Sequence, residues 1–170
     1  MSPRVVLVGA PGSGKSTVGR LLADSLGVEF RDTDADIEAT AGKAISDIFV
    51  DEGEQGFRQR ETEALRIALS ECSGVLSLGG GVVLRPENRV LLTGQPVVWL
   101  EVTLSDAADR VGLATSRPVL LGNVRGRLME LLQERTPLYT EVARYRISTH
   151  MKQPAAIADE IQTLLGAAHV

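Results

Sequence analysis

Val5-Val6-Leu7-Val8-Gly9-Ala10-Pro11-Gly12-Ser13-Gly14-Lys15-Ser16-Thr17 is the stretch whose reading decides the fold. An apolar run ends in glycine, and beyond the loop Val18, Leu21, Leu22 and Leu26 recur at the spacing of one helix face. Between them stands G-x-x-x-x-G-K-[ST], in the strand, loop and helix context that gives this motif its meaning. Gly9, Gly12 and Gly14 permit a tight loop whose backbone N–H groups turn inward, and a helix starting near Lys15 adds its positive end. The competing reading is a plain Gly/Ser-rich turn, for which the lysine, the hydroxyl and the flanking periodicity would all have to coincide. The stretch therefore reads as a phosphate cradle, with Lys15 reaching the terminal phosphates and the Ser16 hydroxyl available to Mg2+.

Working outward, Gly27 stops the first helix, and Val28 to Asp32 reads as a second strand that runs into the acidic stretch Asp32-Thr33-Asp34-Ala35-Asp36. If the chain stays extended there, Asp32 and Asp34 lie on one side and aim two carboxylates into one cleft. A short helix follows to Glu38, and Gly42-Lys43 breaks it. Ile45 to Val50 is a helical turn containing Phe49, Asp51-Glu52-Gly53 is a connection, and Glu54 to Leu69 is a longer helix. Arg58 and Glu61 are three apart and so can meet on its surface. That pair reads either as a solvent-facing salt bridge or, with Phe57 beside it, as the wall of a pocket for a small anion. Val75 to Leu78 is a third strand that enters Gly79-Gly80-Gly81, a costly run to order. It implies close backbone approach to a ligand, the alternative being a sharp strand exit.

Pro96 to Val102 is the fourth strand, with Trp99 in the core, and Ser105 is placed to cap the helix that follows. Arg110 on that helix is either solvated or packed on a nucleotide base. Thr115 to Gly122 interrupts helical periodicity and reads as a flap carrying Arg117 toward the phosphates. Helix resumes from Val124 to Arg135, Pro137-Leu138-Tyr139 begins another turn, Tyr145 to Ser148 is the fifth strand, and a helix from Ala156 to Leu165 closes the chain. Five short strands separated mostly by helices predict an α/β fold, a parallel sheet with helices on both faces, whose ligand crevice lies at the carboxyl ends of the strands.

Composition narrows the function. One domain is expected of 170 residues, and 44% hydrophobic content without any run of membrane-spanning length reads as a globular, soluble chain. A net charge of −4 supplies no broad positive field for nucleic acid. Cys72 is the single cysteine and His150 and His169 are the two histidines, too few for a thiolate or histidine metal cluster, so Mg2+ arriving with phosphates is the expected metal. A first strand starting at Arg4 leaves no room for a secretory signal, and a reducing cytoplasm fits.

The chain resembles the shikimate kinase family along nearly its whole length. The resemblance rests on the phosphate loop, Asp32-Thr33-Asp34 with Asp36-Ile37-Glu38, Ile48-Phe49, Gly53-Glu54, Phe57-Arg58 with Glu61, Leu78-Gly79-Gly80-Gly81, Arg117-Pro118-Leu120, and Arg135 before Pro137-Leu138-Tyr139. It implies a single three-layer P-loop kinase domain over residues 1–170, with a substrate-binding region at about 33–61, a small lid at about 112–124, and monomeric, ATP- and Mg2+-dependent phosphorylation of the 3-hydroxyl of shikimate. By the same resemblance Asp34, Lys15 and Arg117 act on the transfer. Asp34 would orient or deprotonate the acceptor hydroxyl, and Arg58 and Arg135 would bind the substrate carboxylate, Glu61 bracing Arg58. Gly79, Gly80 and Gly81 would give backbone contacts, and Phe49, Phe57, Pro118 and Val119 would form walls, Val119 standing where the family often has leucine. Gly12, Ser13, Gly14, Lys15, Ser16 and Thr17 would hold the nucleotide phosphates, Arg110 and Pro154 the adenine, and Ser16 with Asp32 the Mg2+. His150-Met151-Lys152-Gln153 departs from the family's frequent Asn-Arg segment before that proline and so lacks an arginine on the adenine side. The alternatives are another small-molecule kinase, such as a gluconate-type enzyme, and a nucleotide-dependent switch without catalysis.

Overall fold

A computed structural model describes residues 1–114 and 121–167. The four residues of β1 (Val5–Val8) are buried on both faces, as a central parallel strand requires. β2 (Phe30–Asp32), β3 (Val75–Ser77), β4 (Val97–Glu101) and β5 (Tyr145–Ser148) join it in one five-stranded sheet of order β2-β3-β1-β4-β5, all pairings parallel. The strand order sets β3 beside β1, and Leu78 N–H donates to the Leu7 carbonyl at 3.1 Å. The loops leaving these two strands are thereby neighbours at the carboxyl edge.

Alternate residues of β1 sort the core into two layers. Val5 and Leu7 face α1 (Lys15–Leu26) and α7 (Pro154–Ala167), through Val18, Leu22, Ile157 and Ile161. Val6 and Val8 face α3 (Ile45–Glu71), α4 (Pro86–Leu92), α5 (Leu104–Ala114) and α6 (Leu121–Val142), through Leu65, Leu92, Ala107, Leu128 and Tyr139. Trp99 is 4% exposed in this second layer, a core position as its apolar surroundings predict. Ile37 of α2 (Thr33–Ala41) joins Ile48 and Phe57 of α3 in a small third cluster beyond the edge strand.

Local chemistry sets the boundaries. β2 stops at Asp32, whose Oδ1 accepts from the Asp34 N–H at 2.9 Å and caps α2. The expectation of an extended chain through Asp34 is corrected accordingly: Asp34 stands in the first turn of a helix. Glu38 reaches from α2 to accept the Ile45 N–H at 3.1 Å and so opens α3. The connection expected at Asp51-Glu52-Gly53 is a one-residue break, Gly53 at φ 74 and ψ 177, within an otherwise continuous helical segment. Thr103, rather than Ser105, caps α5, its Oγ1 accepting the Asp106 N–H at 3.1 Å, because the helix begins one residue ahead of Ser105. Among the described residues no helix is long and apolar enough to cross a membrane. Residues 115–120 of the lid expected at about 112–124 lie outside the described residues, Arg117, Pro118 and Val119 among them.

Candidate active site

The loop between β1 and α1 forms as its glycines require. Gly12 and Gly14 adopt φ 81 and φ 86, a region that side chains rarely enter. Gly14 caps α1 without any side-chain hydrogen bond, so the first-turn N–H groups of Lys15, Ser16 and Thr17 have no intrahelical acceptor. Ser13 is buried at 1% exposure beneath the loop. The Lys15 ammonium folds onto the Gly9 carbonyl at 2.7 Å and lies 3.3 Å from that of Ala10. Burial pulls its pKa down to about 8 against the opposing pull of Asp34 and Asp32. These are donors and a positive charge gathered where an anion belongs.

Arg110 Nη1 donates to the Gly12 carbonyl at 2.6 Å, which brings α5 over the rim of the loop. Beside it, His150 Nδ1 lies 2.9 Å from Asp106 Oδ2, tying the segment after β5 to α5. Pro154 opens α7 beyond that segment and is half-buried. Ser16 Oγ donates to Asp32 Oδ2 at 3.4 Å, so the two residues expected at a metal meet across the loop. Both donors are hard oxygens, and no group of three or more His, Cys, Asp or Glu side chains among the described residues could form a metal cage. That pairing suits Mg2+, which keeps water and phosphate oxygens and takes few ligands from protein.

The three glycines after β3 give the second half of the site, and space rather than φ explains them. A Cβ on Gly79 would stand 2.7 Å from Asp34 Oδ1 and 3.1 Å from Glu61 Oε2. One on Gly80 would meet Pro11 Cδ at 3.1 Å, the Gly9 carbonyl at 3.3 Å and Arg135 Nη1 at 3.4 Å. One on Gly81 would strike the Arg58 guanidinium, Nη2 at 2.6 Å. Each glycine thus lets a different functional side chain come against the backbone, and the run brings Asp34, Arg58 and Arg135 together beside the phosphate loop.

Phe57 is buried and Phe49 exposed; their rings pack at 4.6 Å between centroids, and the Arg58 guanidinium lies 5.2 Å from the Phe57 centroid. Arg58 Nη1 donates to Glu61 Oε1 at 2.8 Å, and Glu61 is only 1% exposed. The solvent-facing reading of this pair is corrected: α3 turns it toward Gly79 and Gly81, into the cleft. Burial pushes the Glu61 carboxyl up in pKa, with Arg58 pulling the other way. Burial and the neighbouring Asp32 also push Asp34 up, Lys15 opposing. Arg135 Nε is buried without a hydrogen-bond partner among the described residues. Sequence reasoning gave no role to Tyr139, whose hydroxyl donates to the Gly80 carbonyl at 2.6 Å. Its only sequence signal is its place in Pro137-Leu138-Tyr139.

A phosphate cradle at the carboxyl edge of a parallel sheet, joined to a pocket with one carboxylate and two guanidiniums, defines a P-loop kinase of small anionic molecules. The family model described as shikimate kinase matches residues 11–165, and the chain belongs to that family. It is 53% identical to a shikimate kinase of Salinispora arenicola over 98% of this chain and 100% of that one. Its structure matches a shikimate kinase from Acinetobacter baumannii, solved in complex with shikimate, at TM-score 0.90 and 39% identity, covering 99% of this chain and 94% of the other. A gluconokinase from Sinorhizobium meliloti matches at TM-score 0.59 and 20% identity, covering 96% and 91%, a likeness of fold alone.

Proposed function

We infer that this chain transfers the terminal phosphoryl group of ATP to the 3-hydroxyl of shikimate, giving 3-phosphoshikimate and ADP on the route to chorismate and the aromatic amino acids. The observation that carries the residue assignment is the triple glycine, which seats a carboxylate and two guanidiniums against one backbone run beside the phosphate loop.

The chemistry follows from those positions. Arg58 and Arg135 bind the acceptor's carboxylate, the planar guanidinium offering two parallel donors that a lysine lacks. Phe57 and Phe49 wall the carbon ring, and Glu61 holds Arg58 in place by a buried ion pair. Asp34 accepts the hydrogen of the attacking hydroxyl, and its raised pKa makes it a better proton acceptor than an exposed aspartate. Lys15 and the loop N–H groups compensate charge on the phosphates, with Thr17 in the same helical turn and Arg117 closing from the lid. Arg110 and Pro154 flank the base. ATP supplies the phosphoryl group with Mg2+, which neutralises phosphate charge and would be held by Ser16 and, through water or nearby contact, Asp32. The same reading makes the enzyme a cytoplasmic monomer with no nucleic-acid or membrane partner.

Incubation of the purified protein with ATP, Mg2+ and shikimate, and identification of the product, tests the substrate. Gluconate and nucleoside monophosphates serve as competing acceptors. A 3-phosphorylated shikimate formed far faster than any other product is expected; efficient transfer to gluconate alone would overturn the assignment. Nucleotide binding without any transfer would point to a switch instead.

A further inference from the structure

The carbonyls of the triple glycine are satisfied in two different ways. Gly79 accepts from the Val82 N–H and Gly81 from the Leu84 N–H, each at 3.1 Å, bonds that merely close the following turn. The Gly80 carbonyl alone takes a donor from a distant element, the Tyr139 hydroxyl of α6. Gly80 is also the glycine that touches both halves of the site, the phosphate loop through Pro11 and Gly9 and the acceptor pocket through Arg135. Arg135 and Tyr139 are one helical turn apart and so share a face of α6. The helix that supplies a guanidinium to the acceptor therefore also grips the backbone against which that guanidinium rests.

Tyr139 lies in the same buried cluster as Ala10 of the phosphate loop. The ring also stacks on Trp99, at 5.7 Å between centroids and 29°. The phenol is 1% exposed, and its pKa is pushed up to about 12 by that burial, with Arg135 pulling the other way. It remains a donor across the working range of pH.

We propose that Tyr139 is a positioning residue for the acceptor: its hydrogen bond to Gly80 sets the distance between the triple glycine, Arg135 and the phosphate loop. This rests on the shikimate assignment above. Removing the hydroxyl frees Gly80 to shift without disturbing the ring stack, so the acceptor pocket loosens while the nucleotide cradle keeps its own bonds.

The test is Tyr139→Phe beside Trp99→Phe, with steady-state kinetics for both substrates and calorimetric binding of ADP. Tyr139→Phe is expected to raise the shikimate KM about threefold to tenfold, the scale of one buried hydrogen bond. The ATP KM and ADP affinity stay at wild-type values. Trp99→Phe, which weakens the stack but keeps the hydroxyl, leaves the shikimate KM unchanged. A loss of active protein would lower kcat alone, so the KM separates positioning from simple destabilisation. An unchanged shikimate KM in Tyr139→Phe, or an equal rise in both variants, overturns the proposal. Should wild type itself fail to phosphorylate shikimate, the substrate assignment falls, whereas a wild type that turns over shikimate alongside an indifferent Tyr139→Phe removes only the role of Tyr139.

Discussion

Asp34 is held in partial burial between a second carboxylate and an ammonium, with Gly79 so close that no side chain would fit between them. Its conversion to asparagine keeps size and polarity but removes the ability to take a proton. Asp34→Asn is expected to lower kcat by about 10²- to 10⁴-fold, the usual reach of general base catalysis, while nucleotide binding stays intact because Gly12 to Ser16 are untouched. Turnover near wild type, with shikimate saturating, would show that Asp34 only fills space. Residue identities carried most of the candidate site: the lysine, the two serines, Asp34, Arg58, Arg135 and the glycines that the structure gathers there were all legible, since each is a chemical type at a fixed offset from a backbone signal. The contacts that hold them were not. Glu61 looks solvated from its i, i+3 spacing to Arg58, and only the fold reveals that this face of α3 meets Gly79 and Gly81. Tyr139 and Gly80 are 59 residues apart, and nothing local pairs them.

Among the elements, α3 is the one whose shape most directly sets the acceptor pocket. Glycine at 53 was legible as an interruption, but a connecting loop and a single-residue break give the same local composition. The difference lies in the helical pattern resuming at once, which places Phe49 and Phe57 on either side of the break and in ring contact. Gly53 adopts φ 74 and ψ 177, a combination that is essentially confined to glycine, although a Cβ there would meet no neighbouring atom. Gly53→Ala therefore isolates backbone strain from steric clash. It is expected to cost about 1–3 kcal/mol, lowering Tm by roughly 2–4 °C per kcal/mol in a domain of this size. Because relaxation of the strain would move Phe57 and Arg58, the shikimate KM rises while the ATP KM holds. Thermal unfolding and kinetics check the two parts separately, and a variant with wild-type Tm would mean that the break does not depend on glycine.

At the scale of the whole molecule, the parallel sheet was readable because its strands are short apolar runs separated by helical periodicity, and the site's location followed from the carboxyl ends of those strands. Strand order was not readable: that β3 lies beside β1 comes from how the helices pack, and this adjacency is what sets Gly80 against Gly9 and Pro11. One outcome of gathering charge at a single edge is that the fold holds carboxyls under conditions they resist. Glu61 has its pKa raised by burial above the ordinary 4.5, and Asp34 is shifted in the same direction. In the window from about pH 4.5 upward the native state therefore binds more protons than the unfolded chain, and stability from these groups declines as pH rises through their raised values. Glu61→Gln removes one such group while leaving a hydrogen-bond acceptor for Arg58. The difference in unfolding free energy, wild type minus Glu61→Gln, is thus expected to fall as pH rises above about 4.5, no more steeply than roughly 1.4 kcal/mol per pH unit, the limit for one proton. Urea unfolding at intervals across that range measures it. A difference that stays flat or grows with pH would mean that the Arg58 ion pair outweighs burial, and that Glu61 stabilises the fold most when charged.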